Sequence, residues 1–215
     1  MPPPQEAALD HLVVAGATLA QAIEYVAELT GAVPRPGGQH VVMGTHNALV
    51  KLGDRLFLEL IAIDPTLPPP GRPRWFDLDD VKMQVALAER PRLVHWVARS
   101  PDLARTLAAA GYDPGPVHPM TRGDYRWRIT IPGDGRRPGE GVLPTLIQWD
   151  VAAHPADTLP NAGVAMVELA ASHPDPKAIR AALATIGLPD AVRVTFGSPA
   201  RLAAMLRTPR GLVTL

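Results

Sequence analysis

The chain contains no cysteine. Disulfide frameworks, thiolate metal sites and cysteine nucleophiles are therefore excluded. Serine is nearly as scarce, represented only by Ser100, Ser172 and Ser198. None sits in a G-x-S-x-G elbow, which argues against a serine hydrolase. Ser100 and Ser198 each precede proline, and Ser172 precedes His173-Pro174; this pattern reads as helix N-caps. Neither a G-x-G-x-x-G nor a Walker loop is present. Gly133 to Gly141 lacks the Lys-Ser/Thr of a phosphate cradle and reads as a hairpin loop. Aromatic residues make up 5 %, too few for a base-stacking surface. Lys plus Arg and Asp plus Glu number 21 each, so no single-sign field recruits nucleic acid or an anionic membrane. No apolar run approaches the roughly 20 residues of a membrane span. Met1 to Glu6 carries neither a basic nor an apolar leader region, and a cytoplasmic location is expected.

What is present is a 215-residue chain, 47 % hydrophobic and rich in proline, long enough to bury a sizeable core. It repeats itself. Leu9-Asp10-His11-Leu12-Val13 matches Leu93-Val94-His95-Trp96-Val97 at an offset of 84 residues. Each copy reads as a strand carrying a central histidine, followed by a helix. The first helix has Leu19, Ile23, Val26 and Ala27 on one stripe, and the second has Leu103, Leu107 and Ala110. Three strands follow each helix: roughly 39–45, 47–53 and 55–63, then 115–121, 125–132 and 143–150. Each half is thus β-α-β-β-β, over 7–63 and 93–155. A proline-rich linker, 64–92, joins them and ends in a helix near 77–89 with Leu78, Val81 and Val85 on one face. The C-terminal part, 160–215, reads as an α/β extension with strands at 164–170, 192–196 and 212–215. Helices are expected from Asp175-Pro176 and over 199–207. The fold class is α+β: two repeated modules with curved mixed sheets around one cavity, plus this extension.

Two such modules, with a histidine on each first strand and an acidic or amide residue on each last strand, resemble the vicinal oxygen chelate superfamily. Within it the sequence is similar to glyoxalase-like domain proteins. The closer match lies in Leu9 to Val13, Gly44-Thr45 with Asn47, Leu58 to Ala62, and Leu143 to Asp150. The resemblance covers residues 7 to 155 well and the tail more loosely. It implies a divalent metal held by His11 and Glu59 from the first module and by His95 and Gln148 from the second. The spacings follow the repeat: 48 residues from His11 to Glu59 and 53 from His95 to Gln148. The longer hairpin around Gly133 to Gly141 fits the difference.

The residues themselves support a polar centre. Glu59 lies in the strand Leu56-Phe57-Leu58-Glu59-Leu60-Ile61, apolar on both sides, where an ionised carboxylate is costly unless paired or metal-bound. His11 and His95 are imidazoles at equivalent positions of a repeat. Each has a plainer reading as a satisfied core residue, with Glu59 paired to Arg126 or Arg128. Gln148 departs from the family pattern, because a glyoxalase-type centre uses two carboxylates. Either Glu59 serves as ligand and base, or Asp150, two residues on, is the base. His11, His95 and Glu59 alone form a 2-His-1-carboxylate set suited to Fe or Mn; with Gln148 the set suits Zn or Ni. Arg126 and Arg128 share a strand face and suit an anionic substrate group. Trp127 and Trp149 are candidates for its apolar wall.

These readings converge on a metal-dependent glyoxalase-like enzyme of lyase, isomerase or dioxygenase type, acting on a small oxygenated substrate. The alternative is a metal-free sequestering protein of the bleomycin-resistance type, with Trp75, Trp96, Trp127 or Trp149 around a flat ligand. The expected partner is a small molecule, with no nucleic acid or membrane. The chain is read as a monomer or homodimer.

Overall fold

A computed structural model describes residues 7–215. The reading of Met1 to Glu6 concerns residues outside that range. The first half runs β1 (Ala8–Ala15), α1 (Leu19–Thr30), β2 (Arg35–His40), β3 (Thr45–Gly53) and β4 (Leu56–Ile63). After the linker helix α2 (Val81–Glu89) the pattern returns as β5 (Arg92–Arg99), α3 (Leu103–Ala109), β6 (Val117–Arg122), β7 (Tyr125–Thr130) and β8 (Thr145–Trp149). The eight strands form one mixed sheet, ordered β2-β3-β4-β1-β5-β8-β7-β6. In each module the first strand lies parallel to the last, β1 to β4 and β5 to β8. The modules join antiparallel along β1 and β5. Strand order is therefore symmetric about that seam, and the sheet curls until its edge strands β2 and β6 approach each other.

Side-chain alternation gives the curled sheet two faces. Leu12, Val14, Leu58, Leu60, Trp96 and Ala98 point to the convex side. There α1 seals them with Ala22 and Val26. The Thr18 hydroxyl accepts from the Gln21 N–H at the start of α1, and Gly31, at φ 75°, ends it in the left-handed region. Val13, Ile61, Val97, Ile129 and Ile147 point to the concave side.

The C-terminal extension consists of a short helix α4 (Pro155–Thr158), then β9 (Ala165–His173), α5 (Pro176–Thr185), β10 (Arg193–Phe196), β11 (Arg201–Thr208) and β12 (Gly211–Thr214). Its four strands form a second sheet, ordered β10-β9-β11-β12. Leu169, Ile179, Leu183, Ala204 and Leu206 join the convex-side core, so the four-stranded sheet and α5 cover that face, while α4 packs against Phe57 at the rim of the concave face. Among the described residues, no helix is long and apolar enough to cross a membrane.

Three local expectations are corrected. Residues 199–207 were expected as a helix but pair as β11 between β9 and β12. Leu202 to Leu206 has no polar face for a helix to show solvent, whereas Ala204, Leu206 and Thr208 bury at strand spacing. The serines do not cap helices: Asp102 and Asp175 cap α3 and α5, and Ser172 lies inside β9. In α2, Val81 and Val85 are exposed, while Leu78 is buried ahead of the helix and Leu87 within it.

Candidate functional site

The concave face carries a small polar cluster inside an aromatic wall. His11 on β1 and Glu59 on β4 lie on adjacent parallel strands, offset so that Val13 faces Glu59 and His11 faces Phe57. The His11 ring stacks on Phe57, with centroids 4.6 Å apart and planes 17° from parallel. A register irregularity in the β1–β5 pairing falls between Leu9 and His11. Such a bulge re-aims side chains, and here it lets neighbours Asp10 and His11 meet. His11 Nδ1 donates to Asp10 Oδ1 at 2.6 Å. The other oxygen, Oδ2, accepts from Trp149 Nε1 at 2.9 Å and from His154 Nε2 at 3.2 Å. The Ala156 N–H donates to His154 Nδ1, which leaves the ring proton on Nε2 for Asp10. Asp10 is fully buried. Burial opposes its ionisation, but the hydrogen bonds and charges of His11 and His154 outweigh it and hold the carboxyl well below the usual range.

The Asp10 bond fixes the His11 proton on Nδ1 and turns Nε2 toward Glu59. His11 Nε2 and Glu59 Oε2 stand 3.7 Å apart, beyond hydrogen-bond length. Glu59 Oε1 accepts from Asn47 Nδ2 at 2.5 Å. Asn47 Oδ1 in turn accepts from Arg122 Nη1 at 3.1 Å. The same nitrogen lies 3.3 Å from His40 Nε2. Arg122 comes from β6 of the second module, while Asn47 and His40 belong to the first, so this network ties the two edges of the curled sheet together. His40 is buried, which lowers its pKa to about 4; Glu59 acts against the shift and Arg122 with it.

Aromatic side chains complete the cavity. Trp127 and Trp149 face one another at 5.5 Å, and Trp75 stacks on Phe76 at 5.2 Å. Trp75 and Phe76 come from the linker, which folds over the concave face instead of hanging away from it. Phe76 and Asp77 adopt left-handed φ values of 61° and 59°, uncommon for residues with a β-carbon. An ion pair of 2.6 Å from Asp77 to Arg137 anchors this turn. The open space among these side chains is about 30 Å³, room for one or two waters. Any molecule larger than that must part the rings to enter.

The residues singled out in the sequence divide sharply. His11, Glu59, Trp127 and Trp149 share this cavity. His95 faces the same side of the sheet but is sealed: its Nε2 accepts the Thr145 N–H at 3.1 Å, and Phe76 covers the ring at 5.1 Å. Gln148 points to the convex side, where its Oε1 accepts the Leu103 N–H at the start of α3. Its neighbours Ile147 and Trp149 take the concave side. Arg128 and Asp150 form a partly exposed pair at 2.8 Å, outside the cavity. Arg126 is exposed and bonds the carbonyls of Gly123 and Tyr125. Trp96 is fully buried on the convex side and donates to the Val142 carbonyl.

The donor set implied for a divalent metal does not assemble. One nitrogen of His95 is taken by a backbone N–H, Gln148 is on the other face, and Arg122 supplies positive charge near Glu59. Among the described residues, no three histidine, aspartate or glutamate side chains group to hold a metal ion.

Sequence reasoning did not assign site roles to Asp10, Arg122 or His154. Asp10 was legible only as a carboxylate beside His11 in an apolar strand. Arg122 shares a strand face with Met120, two residues before it, a pattern that marks a face but not which one.

The glyoxalase-like domain family model matches residues 9–187. No curated protein matches. Among solved structures, a hypothetical protein from Staphylococcus aureus superposes with a TM-score of 0.62 at 10 % identity, over 91 % of this chain and 88 % of that one. The methylmalonyl-CoA epimerase of Mycobacterium tuberculosis aligns at 21 % identity over 68 % of this chain and 89 % of its own, with a TM-score of 0.39. With the family model spanning most of the chain, the protein belongs to the glyoxalase-like domain family.

Proposed function

We propose that the concave cavity is an acid–base site that moves a proton on a small oxygenated substrate, in chemistry of isomerase or lyase type. One observation carries this reading. Two proton-accepting atoms, Glu59 Oε2 and His11 Nε2, face each other across 3.7 Å in a buried aromatic cavity, each held from behind. Asn47 fixes one carboxylate oxygen and leaves the other free. Asp10 orients the imidazole and stabilises it when it takes a second proton, the role of the carboxylate in a Ser-His-Asp triad. Glu59 takes the proton from the carbon next to a substrate carbonyl. The C–H bond breaks, an O–H bond forms, and the electron pair moves to the carbonyl oxygen. His11 Nε2, 3.7 Å away, receives that proton through a bridging water or substrate oxygen and returns it to carbon. The aromatic walls exclude water while the charge is displaced. No metal enters this reading, since the donors implied for one do not converge.

The test is hydrogen–deuterium exchange at carbon, followed by proton NMR in D₂O for a panel of small 2-oxo acids, 2-hydroxy acids and ketones. Exchange above background is expected for at least one compound, and it should survive dialysis against a chelator. Glu59→Gln should slow it by about 10²- to 10⁴-fold, the usual contribution of a general base. Exchange for no compound, exchange untouched by Glu59→Gln, or exchange restored only by added Mn, Fe, Ni or Zn ions would each overturn the reading.

A second reading rests on Trp75, Trp127 and Trp149 lining one cavity. It is a sequestering site for a flat apolar molecule. Saturable quenching of tryptophan fluorescence by aromatic compounds, in a protein that exchanges no panel member, favours it.

A further inference from the structure

Among the described residues, one hydrogen-bond donor at one end of the cavity lacks an acceptor and a second is only partly used. The first is the Trp75 indole N–H, buried without a partner among the described residues. Trp75 itself is 5 % exposed. A buried donor left unpaired costs roughly 1–3 kcal/mol, so it requires an explanation. The second is Arg122. Its Nη1 donates only to the neutral acceptors Asn47 and His40, and among the described residues its other nitrogens have no acceptor and it has no carboxylate partner. Both groups contact one side chain: the Trp75 ring meets His40 edge-on at 5.0 Å, and Arg122 Nη1 lies 3.3 Å from Nε2 of the same imidazole. Both line the cavity that holds Glu59 and His11.

The geometry points to a carboxylate as the group this cavity takes, received by the free edge of Arg122 and the Trp75 indole N–H. The inference rests on the cavity being the substrate site proposed above. A guanidinium presents parallel donors that match a carboxylate. An indole N–H donates and cannot accept, so it selects an acceptor oxygen. A neutral amide supplies one such oxygen but no charge for Arg122. With the carboxylate held here, the carbon beside it is delivered toward Glu59 Oε2 and His11 Nε2. The like charge of Glu59 opposes this binding, and Arg122 offsets it.

The test uses acetate, with acetamide as its neutral counterpart, at constant ionic strength. The four tryptophans give indole N–H cross-peaks in a nitrogen–proton correlation spectrum, and Trp75→Phe identifies that of Trp75. Acetate should move this peak downfield and saturably, as the orphan donor gains an acceptor, with acetamide at least 10-fold weaker. Arg122→Gln should weaken acetate at least 10-fold. Arg122→Lys, which keeps the charge and loses the fork, should fall between. Glu59→Gln should tighten acetate a few-fold. An unmoved Trp75 peak, equal response to acetamide, or an unchanged titration in both Arg122 variants would overturn the inference. Failure of proton exchange with acetate still bound through Arg122 removes the catalytic reading alone. Exchange that acetate does not inhibit removes this inference alone.

Discussion

Replacing Asp10 by alanine is expected to cost about 3–5 kcal/mol of folding stability, the range for breaking a fully buried, hydrogen-bonded charge cluster. The size follows from what the carboxylate holds. His11, His154 and Trp149 each donate to it, and alanine leaves all three N–H groups in the interior with no acceptor. His154 also begins α4, where its ring accepts the Ala156 N–H and its own backbone N–H bonds Asp157. The loss should therefore spread to the seam between β8 and the extension. Urea unfolding of the two proteins measures it, and the melting temperature should fall by roughly 2–4 °C per kcal/mol. Asp10→Asn keeps the shape but turns an amide N–H₂ toward one of its three donors, so it should lose less stability yet misorient His11. A double-mutant cycle with His154→Ala should give a coupling energy above 1 kcal/mol, because the two share one bond network. A cost below 1 kcal/mol for Asp10→Ala would show that the cluster is not the keystone its burial suggests.

That keystone marks where reading the sequence alone reached its limit. The repeat was legible because it is local: an apolar strand with a central histidine, a helix with one apolar stripe, and three more strands, twice over. The same periodicity placed Glu59 in a doubly buried strand, where its charge demands a partner. What a sequence does not show is which face each strand presents. Gln148 and Trp149 are one residue apart, and the register of β8 alone sends the amide to α3 and the indole to Asp10. One residue of register reverses every side chain. His95 failed differently. It does face inward, as the repeat implies, but its Nε2 accepts the Thr145 N–H and the Phe76 ring covers it. Thr145 is on the adjacent strand 50 residues away, and Phe76 arrives from a linker with no periodic signal. Arg122 contributes through closure of the sheet, which brings β6 beside β2 although the two are at opposite ends of the strand order. The extension shows the same limit: Leu202 to Leu206 reads as a helix in the sequence, and only its pairing with β9 and β12 makes it a strand.

Stability should also fall steeply as the solution is acidified from pH 6.5 toward pH 4, and two histidines account for the slope. Burial lowers His95 to about 3 and His40 to about 4. Arg137 and His11 add to the His95 shift. At His40, Glu59 acts against the shift while Arg122, His11 and His46 reinforce it. Above pH 6.5 both rings are neutral in the folded and unfolded chains, and neither affects the balance. Below it the unfolded chain takes up protons that the folded chain refuses, so folding loses up to about 1.4 kcal/mol per pH unit for each ring. The two act together down to about pH 4, where His40 titrates in the folded state, and His95 continues alone to about pH 3. Exposed carboxylates do not produce this slope, and Asp10, depressed in the folded state, weakens folding only below its unfolded value near 4. His118, lowered by burial beside Arg72, adds in the same direction. Urea midpoints measured from pH 7.5 to 4.5 should therefore drop continuously below 6.5. His95→Gln and His40→Gln should each make the slope clearly shallower, whatever they do to stability at neutral pH, because glutamine accepts a hydrogen bond without a titrating group. A flat profile in the wild-type protein, or an equal slope in both variants and the wild type, would mean that these imidazoles admit protons while folded. The interior around His95 would then have to be wet, at odds with a ring that is fully buried.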